Sequence, residues 1–217
     1  MDEEQLKEFA RQLRKPEGVY GREVGEKMNK GNRYINQYTI EELSVQAHDR
    51  ILELGMGNGF FVKDILAFDP SVFYTGYDFS EEMVEESSKR NQVFIDEGRA
   101  RFMLGEAENM PFPDGSFNKA FTINTIYFWG NKEKVLSEFH RVLEPRGKLL
   151  IAVRPKSNLE EMPFTRFGFN MFTKEELTTL LTSNGFKINE VIEKTEPEHE
   201  VNGKKMIVKT LIVCAEK

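Results

Sequence analysis

The stretch Glu53-Leu54-Gly55-Met56-Gly57-Asn58-Gly59 constrains this chain more than any other. It follows the apolar run Arg50 to Leu54 and precedes Phe60, Phe61, Ile65 and Leu66, whose spacing reads as a helix. Alternate glycines between a strand and a helix let the backbone bend sharply and approach a ligand with no Cβ in the way. The spacing also separates classes of ligand. A dinucleotide fingerprint is G-x-G-x-x-G, with the third glycine allowing close helix packing. Here that third position holds Phe60 counted from Gly55, or Val62 counted from Gly57, so no cradle for a diphosphate is evident.

The rest of the chain places this turn in a recognisable rhythm. Val72 to Tyr77 reads as a second strand. It ends at Asp78, 19 residues after Gly59, where a carboxylate can accept hydrogen bonds from both hydroxyls of a ribose. Ser80 can cap the helix that follows, with Glu81 and Glu82 favouring its positive end. Arg101 to Leu104 and Lys119 to Thr125 read as further strands. Val135, Leu136, Phe139, Val142 and Leu143 form a helical stripe, and Pro145-Arg146-Gly147 turns the chain into a fifth strand, Lys148 to Val153. Strand and helix alternate, which implies parallel strands joined by crossover helices. The end breaks the pattern. A capping box, Thr173 to Glu176, opens a helix that Gly185 ends. Two strands follow with no helix between them, Lys187 to Lys194 and Met206 to Ala215. The Asn202-Gly203 pair in their connector predicts an antiparallel hairpin.

Ahead of this unit, residues 1–46 are polar and helical in pattern, and are expected to form an N-terminal helical cap or lid on a domain of residues 47–217. Leu6, Phe9, Ala10 and Leu13 make one apolar stripe. Gly18, Gly21, Gly25 and Gly31 read as hinges in a flexible stretch, and a further helix is expected from Ile35 to Leu43. Tyr20, Met28 and Asn29 are the residues expected to close over a ligand.

Composition excludes several classes. A formal net charge of −6 with no long basic run argues against a nucleic-acid partner. No apolar run approaches the ~20 residues that span a bilayer. Cys214 stands alone and no signal peptide is evident, which places the expected location in the cytoplasm. No His or carboxylate set has metal-ligand spacing, so no metal is expected. The 18 phenylalanines serve a core, or line an apolar pocket.

At this point the chain resembles a family. Glu53 to Gly59 is similar to motif I of class I S-adenosylmethionine (SAM)-dependent methyltransferases, and Tyr77-Asp78-Phe79-Ser80 to their second motif. Gly105 to Phe117 resembles the loop after their third strand, particularly in the small-molecule, ubiquinone/menaquinone-like branch. Phe139 to Leu149 resembles the segment entering their fifth strand. The resemblance covers about residues 47–155. It implies a Rossmann-like three-layer α/β sandwich, with a mostly parallel seven-stranded sheet, an antiparallel C-terminal hairpin and the N-terminal lid. It implies SAM as cofactor and S-adenosylhomocysteine as product. Carried over, Gly55, Gly57 and Gly59 would lie under the methionine and ribose, and Glu53 would be among the cofactor-binding residues. Asp78 would hold the ribose and Phe79 would pack on adenine. Glu106, where the family more often has Asp, would meet the adenine amino group, and the Ala107 amide a ring nitrogen. Asn124 would face the cofactor's amino-acid end.

Methyl transfer from a sulfonium is an in-line displacement that needs alignment and exclusion of water more than a dedicated base. No residue stands out as a catalytic base, and His140, in the helical stripe, reads as structural. Asn124-Thr125-Ile126-Tyr127 lacks the two prolines of enzymes that methylate base amino groups. Tyr127, Phe128 and Trp129, together with Phe167 in the Phe-rich segment after the fifth strand, are candidate walls of an acceptor pocket. The function expected is methyl transfer to a small, partly apolar acceptor. The alternatives are an NAD(P)-dependent oxidoreductase and a non-catalytic SAM-binding module.

Overall fold

The computed structural model describes residues 1–197, 199–201 and 204–217. Three N-terminal helices come first: α1 (Glu3–Arg14), α2 (Gly18–Gly31) and α3 (Arg33–Leu43). The alternating unit follows as β1 (Arg50–Leu54), α4 (Val62–Leu66), β2 (Phe73–Asp78), α5 (Glu81–Arg90), α6 (Gln92–Asp96), β3 (Ala100–Leu104), β4 (Phe117–Ile123), α7 (Lys132–Val142) and β5 (Leu143–Val153). After α8 (Lys156–Leu159) and α9 (Lys174–Ser183) the chain ends in strands β6 (Lys187–Thr195), β7 (His199–Val201), β8 (Lys204–Met206) and β9 (Lys209–Glu216).

Seven strands form one sheet in the order β3-β2-β1-β4-β5-β9-β6. All neighbours are parallel except β9, which runs antiparallel to both β5 and β6. The terminal hairpin is longer than the sequence implies, because β7 and β8 pair as a separate two-stranded extension. The Asn202-Gly203 turn lies outside the described residues.

Strand side chains alternate between two cores, as period-2 burial requires. Leu52, Leu54, Leu149 and Ile151 join Val135, Leu136 and Phe139 of α7 and Leu177 and Leu181 of α9 on one face. Ile51, Phe121, Leu150 and Ile212 join Ile35 and Leu43 of α3 and Val62 and Ile65 of α4 on the other. So α3 is a layer helix of the sandwich, and only α1 and α2 of the N-terminal segment stand above the strand ends.

Two local expectations are corrected. The glycine-punctuated stretch is one continuous helix, α2. A Cβ on Gly21 would lie 2.7 Å from the Pro16 carbonyl carbon, and one on Gly25 would touch Met83 of α5 at 3.6 Å. Gly21 permits an approach that a side chain would block, and both glycines lie inside an unbroken helix. Pro145-Arg146-Gly147 runs within β5, not as a turn before it; Arg146 takes φ 66°, and the β4–β5 register slips between Phe117 and Lys119.

Candidate functional site

A cavity of about 280 Å³ opens at the carboxyl ends of β1, β2 and β4, where the strand order reverses direction, the usual ligand crevice of such sheets. The glycine turn forms its floor, and each glycine is needed for a separate reason. Gly55 has φ 75°, and a Cβ there would strike Thr125 Cγ2 at 2.3 Å. Gly57 has φ 56°, lines the cavity and has nothing within 4 Å of a built Cβ, so its bare face is open to a ligand. Gly59 does not line the cavity. Its φ is 66°, and a Cβ would meet Asn91 and Ser87 at 2.6 and 2.8 Å, so it lets α5 and its end approach the turn.

Two buried carboxyl groups face this floor. Glu53, on β1, accepts a hydrogen bond from the Tyr74 hydroxyl, and burial raises its pKa to about 7. Asp78 ends β2. Its Oδ1 accepts from the Ser80 N–H at 2.9 Å, and its Oδ2 faces the Gly57 N–H at 3.4 Å. Burial raises Asp78 to about 6, against the pull of those backbone donors. Phe79 carries the Lys15 ammonium over its ring at 5.6 Å.

Gly105, Glu106 and Ala107 line the cavity after β3. Gly105 is a residue that sequence reasoning passed over: a Cβ there would lie 2.0 Å from the Tyr77 hydroxyl. Asn124, at φ 58°, closes the β4 side, with Thr125, Phe128 and Trp129 beyond it. The covering wall comes from the N-terminal segment, through Met28, Asn29, Leu13, Arg14, Asn32 and Asn36.

The covering helices are tied to the β2–α5 connection. The Ser80 hydroxyl donates to the Pro16 carbonyl at 2.6 Å, the Glu82 carboxylate takes the Gly18 N–H and Arg22, and Asn58 donates to Glu26. At the far end, Phe9 of α1 meets Phe164 edge to face at 5.2 Å.

Three candidates lie elsewhere. Tyr20 is exposed on the outer side of α2 and does not line the cavity. Tyr127 does not line the cavity: it is buried behind the lining residues Phe128 and Asn124, its ring against Phe128 and Phe169 and its hydroxyl on Asn124. Phe167 packs under Arg166 and Lys7 outside the cavity. His140 lies against Phe186, away from the site. Among the described residues, no group of three or more His, Cys, Asp or Glu side chains is arranged to hold a metal ion. Nor is any helix there long and apolar enough to cross a membrane.

A model of the methyltransferase domain family matches residues 52–151. An uncharacterized methyltransferase of Bacillus subtilis, YdaC, is 30% identical over 125 residues, covering 58% of this chain and 67% of that protein. The ubiquinone/menaquinone biosynthesis C-methyltransferase UbiE of Geotalea daltonii is 32% identical over 124 residues, 55% of this chain and 52% of that one. The crystal structure of a SAM-dependent methyltransferase from Aquifex aeolicus superposes with a TM-score of 0.71 at 19% identity, covering 88% of this chain and 96% of that one. The chain thus belongs to the class I SAM-dependent methyltransferases, and its cofactor is S-adenosylmethionine.

Proposed function

We propose that this enzyme transfers the SAM methyl group to a small, partly apolar acceptor within the cavity covered by α1 and α2. One observation carries this reading. The residues expected to hold the nucleoside, Asp78, Phe79, Glu106 and Ala107, line the same continuous space as the apolar side chains Met28, Phe128 and Trp129. The relative named for ubiquinone and menaquinone biosynthesis favours an apolar acceptor as well.

The lining fits the cofactor. Gly57 offers a face without a side chain, and two buried carboxyl groups await groups that donate hydrogen bonds or carry positive charge. Asp78, oriented by Ser80, accepts from the ribose hydroxyls. Phe79 packs on the adenine, whose edge meets the Glu106 side chain and the Ala107 N–H. Glu53 and Asn124 face the amino-acid end. When bound, the cofactor supplies a methyl group activated on a sulfonium. The protein's part is to hold the acceptor in line and keep water out, which α1 and α2 do as a lid across the strand ends.

The test is release of S-adenosylhomocysteine with a panel of phenols, quinols and amines, each offered in matched apolar and polar forms. Turnover confined to apolar members is expected. Turnover confined to the polar members would overturn the acceptor class.

A further inference from the structure

The carboxamide of Asn124 has one orientation open to it. Its Oδ1 lies 2.9 Å from the Tyr127 hydroxyl and 3.2 Å from the backbone nitrogen of Arg154. A backbone N–H can only donate, so the atom that faces it is the oxygen. The Tyr127 hydroxyl itself accepts from the same Arg154 N–H at 2.6 Å, which leaves its own proton for Asn124 Oδ1 or for the Arg154 carbonyl at 3.1 Å. The nitrogen of Asn124 is thereby turned away from this cluster. It donates to Asn32 Oδ1 of the lid at 3.2 Å, a bond that uses one of its two hydrogens. The backbone is fixed too, by the Asn124 N–H to the Ala152 carbonyl at 2.9 Å.

We infer that Asn124 meets the methionine end of the cofactor as a hydrogen-bond donor, and therefore binds its carboxylate and not its ammonium. The inference rests on the reading that Asn124 faces the amino-acid end, and adds which of the two charged groups it selects. Tyr127 never reaches the cavity. It is a positioning residue, acting through the amide it holds.

Asn124→Asp is the deciding variant. It keeps the shape, Asp tolerates the left-handed backbone at this position, and the Tyr127 and Arg154 donors still have an oxygen to meet. Its carboxylate repels a carboxylate and attracts an ammonium, so the two assignments predict opposite signs. Calorimetry would use S-adenosylhomocysteine, its decarboxylated analogue and 5′-methylthioadenosine, which lacks the amino acid. Expected for Asn124→Asp is a loss of about tenfold or more for S-adenosylhomocysteine. The decarboxylated analogue should bind as well or better, and methylthioadenosine should not change. Tyr127→Phe, which keeps the ring, should give a smaller loss with the same ligand selectivity.

Tighter binding of S-adenosylhomocysteine to Asn124→Asp would overturn the assignment while leaving Asn124 at the amino-acid end. No change with any ligand would remove Asn124 from the cofactor and sink both readings. Equal losses for all ligands, methylthioadenosine included, would show a general disturbance of the site and overturn the inference.

Discussion

The Tyr74 hydroxyl donates to the Glu53 carboxylate at 2.5 Å from the neighbouring strand, with both side chains buried. That single partner does not offset the loss of water, so Glu53 titrates near 7, and Asp78, buried in the same floor, near 6. Two carboxyl groups buried with so few donors cost stability at neutral pH, because burial disfavours their charged forms.

Stability and cofactor binding should therefore respond to pH in opposite senses. Both carboxyl groups titrate higher in the folded chain than the values of 4.5 and 3.8 expected unfolded. Protonation thus favours folding. Their contribution is complete below about pH 4 and is lost as pH rises through 6 and 7, on the order of 3 kcal/mol for each group. The melting temperature without ligand should fall between pH 5.5 and 8, and Glu53→Gln should flatten the part of this slope near pH 7. The shift produced by saturating SAM should instead grow with pH if, as proposed, ionised Glu53 faces the cofactor's ammonium end and ionised Asp78 accepts from its ribose hydroxyls. A ligand-induced shift that shrinks toward pH 8 would contradict this account of the floor.

Gly57→Ala and Gly55→Ala should fail differently. At Gly57 the new methyl meets no protein atom, so the expected stability cost is about 1–2 kcal/mol for a left-handed alanine, while cofactor affinity drops sharply. At Gly55 the methyl collides with Thr125 Cγ2, and the fold should suffer more. Thr125→Ser removes that carbon and keeps the hydroxyl, so the double variant should recover part of the lost stability in thermal melts.

At the amino end of the sheet, Lys119 Nζ lies 2.7 Å from Asp49 Oδ2 and 2.6 Å from the Ser44 carbonyl, with both side chains of the ion pair buried. Lys119→Met leaves Asp49 as a buried charge without its cation, at a cost of about 3–5 kcal/mol. That corresponds to a fall of roughly 10 °C in melting temperature for a chain of this size. S-adenosylhomocysteine affinity should be unchanged, since the pair lies at the opposite end of β1 and β4 from the cavity.

The lid reading predicts that Phe9→Ala, which removes the edge contact with Phe164, raises hydrogen exchange throughout α1 and weakens SAM several-fold. Tyr20→Phe should alter neither, because Tyr20 faces away from the cavity. Unchanged exchange in Phe9→Ala would mean that α1 is held by its other contacts.

Local spacing carried much of this architecture. The glycine turn between β1 and α4, Asp78 at the end of β2 and the terminal hairpin each rest on short-range pattern, and the structure places them as the alternation implies. Glycine also misled. In α2 it reads as a hinge from local propensity, whereas the helix is continuous and Gly21 is there because the Pro16 backbone comes too close for a side chain. Tyr127 and Phe167 are aromatic and lie beside the right loops, but which way an aromatic ring turns depends on the partners that surround it, here Phe128 and Phe169 for Tyr127. Asn32 falls within the segment expected to cover the site, but its bond to Asn124, 92 positions away, is one that no periodicity records.

The strand order divides the labour of the cavity. Groups assigned to the nucleoside come from the β1-β2-β3 half of the sheet, while the opposite wall is built by β4 and by the helices ahead of the alternating unit. On the proposed reading, substitutions on the cavity side of those helices should change which acceptor is methylated more than they change the hold on the methyl donor, so specificity can be exchanged like a roof over a retained foundation.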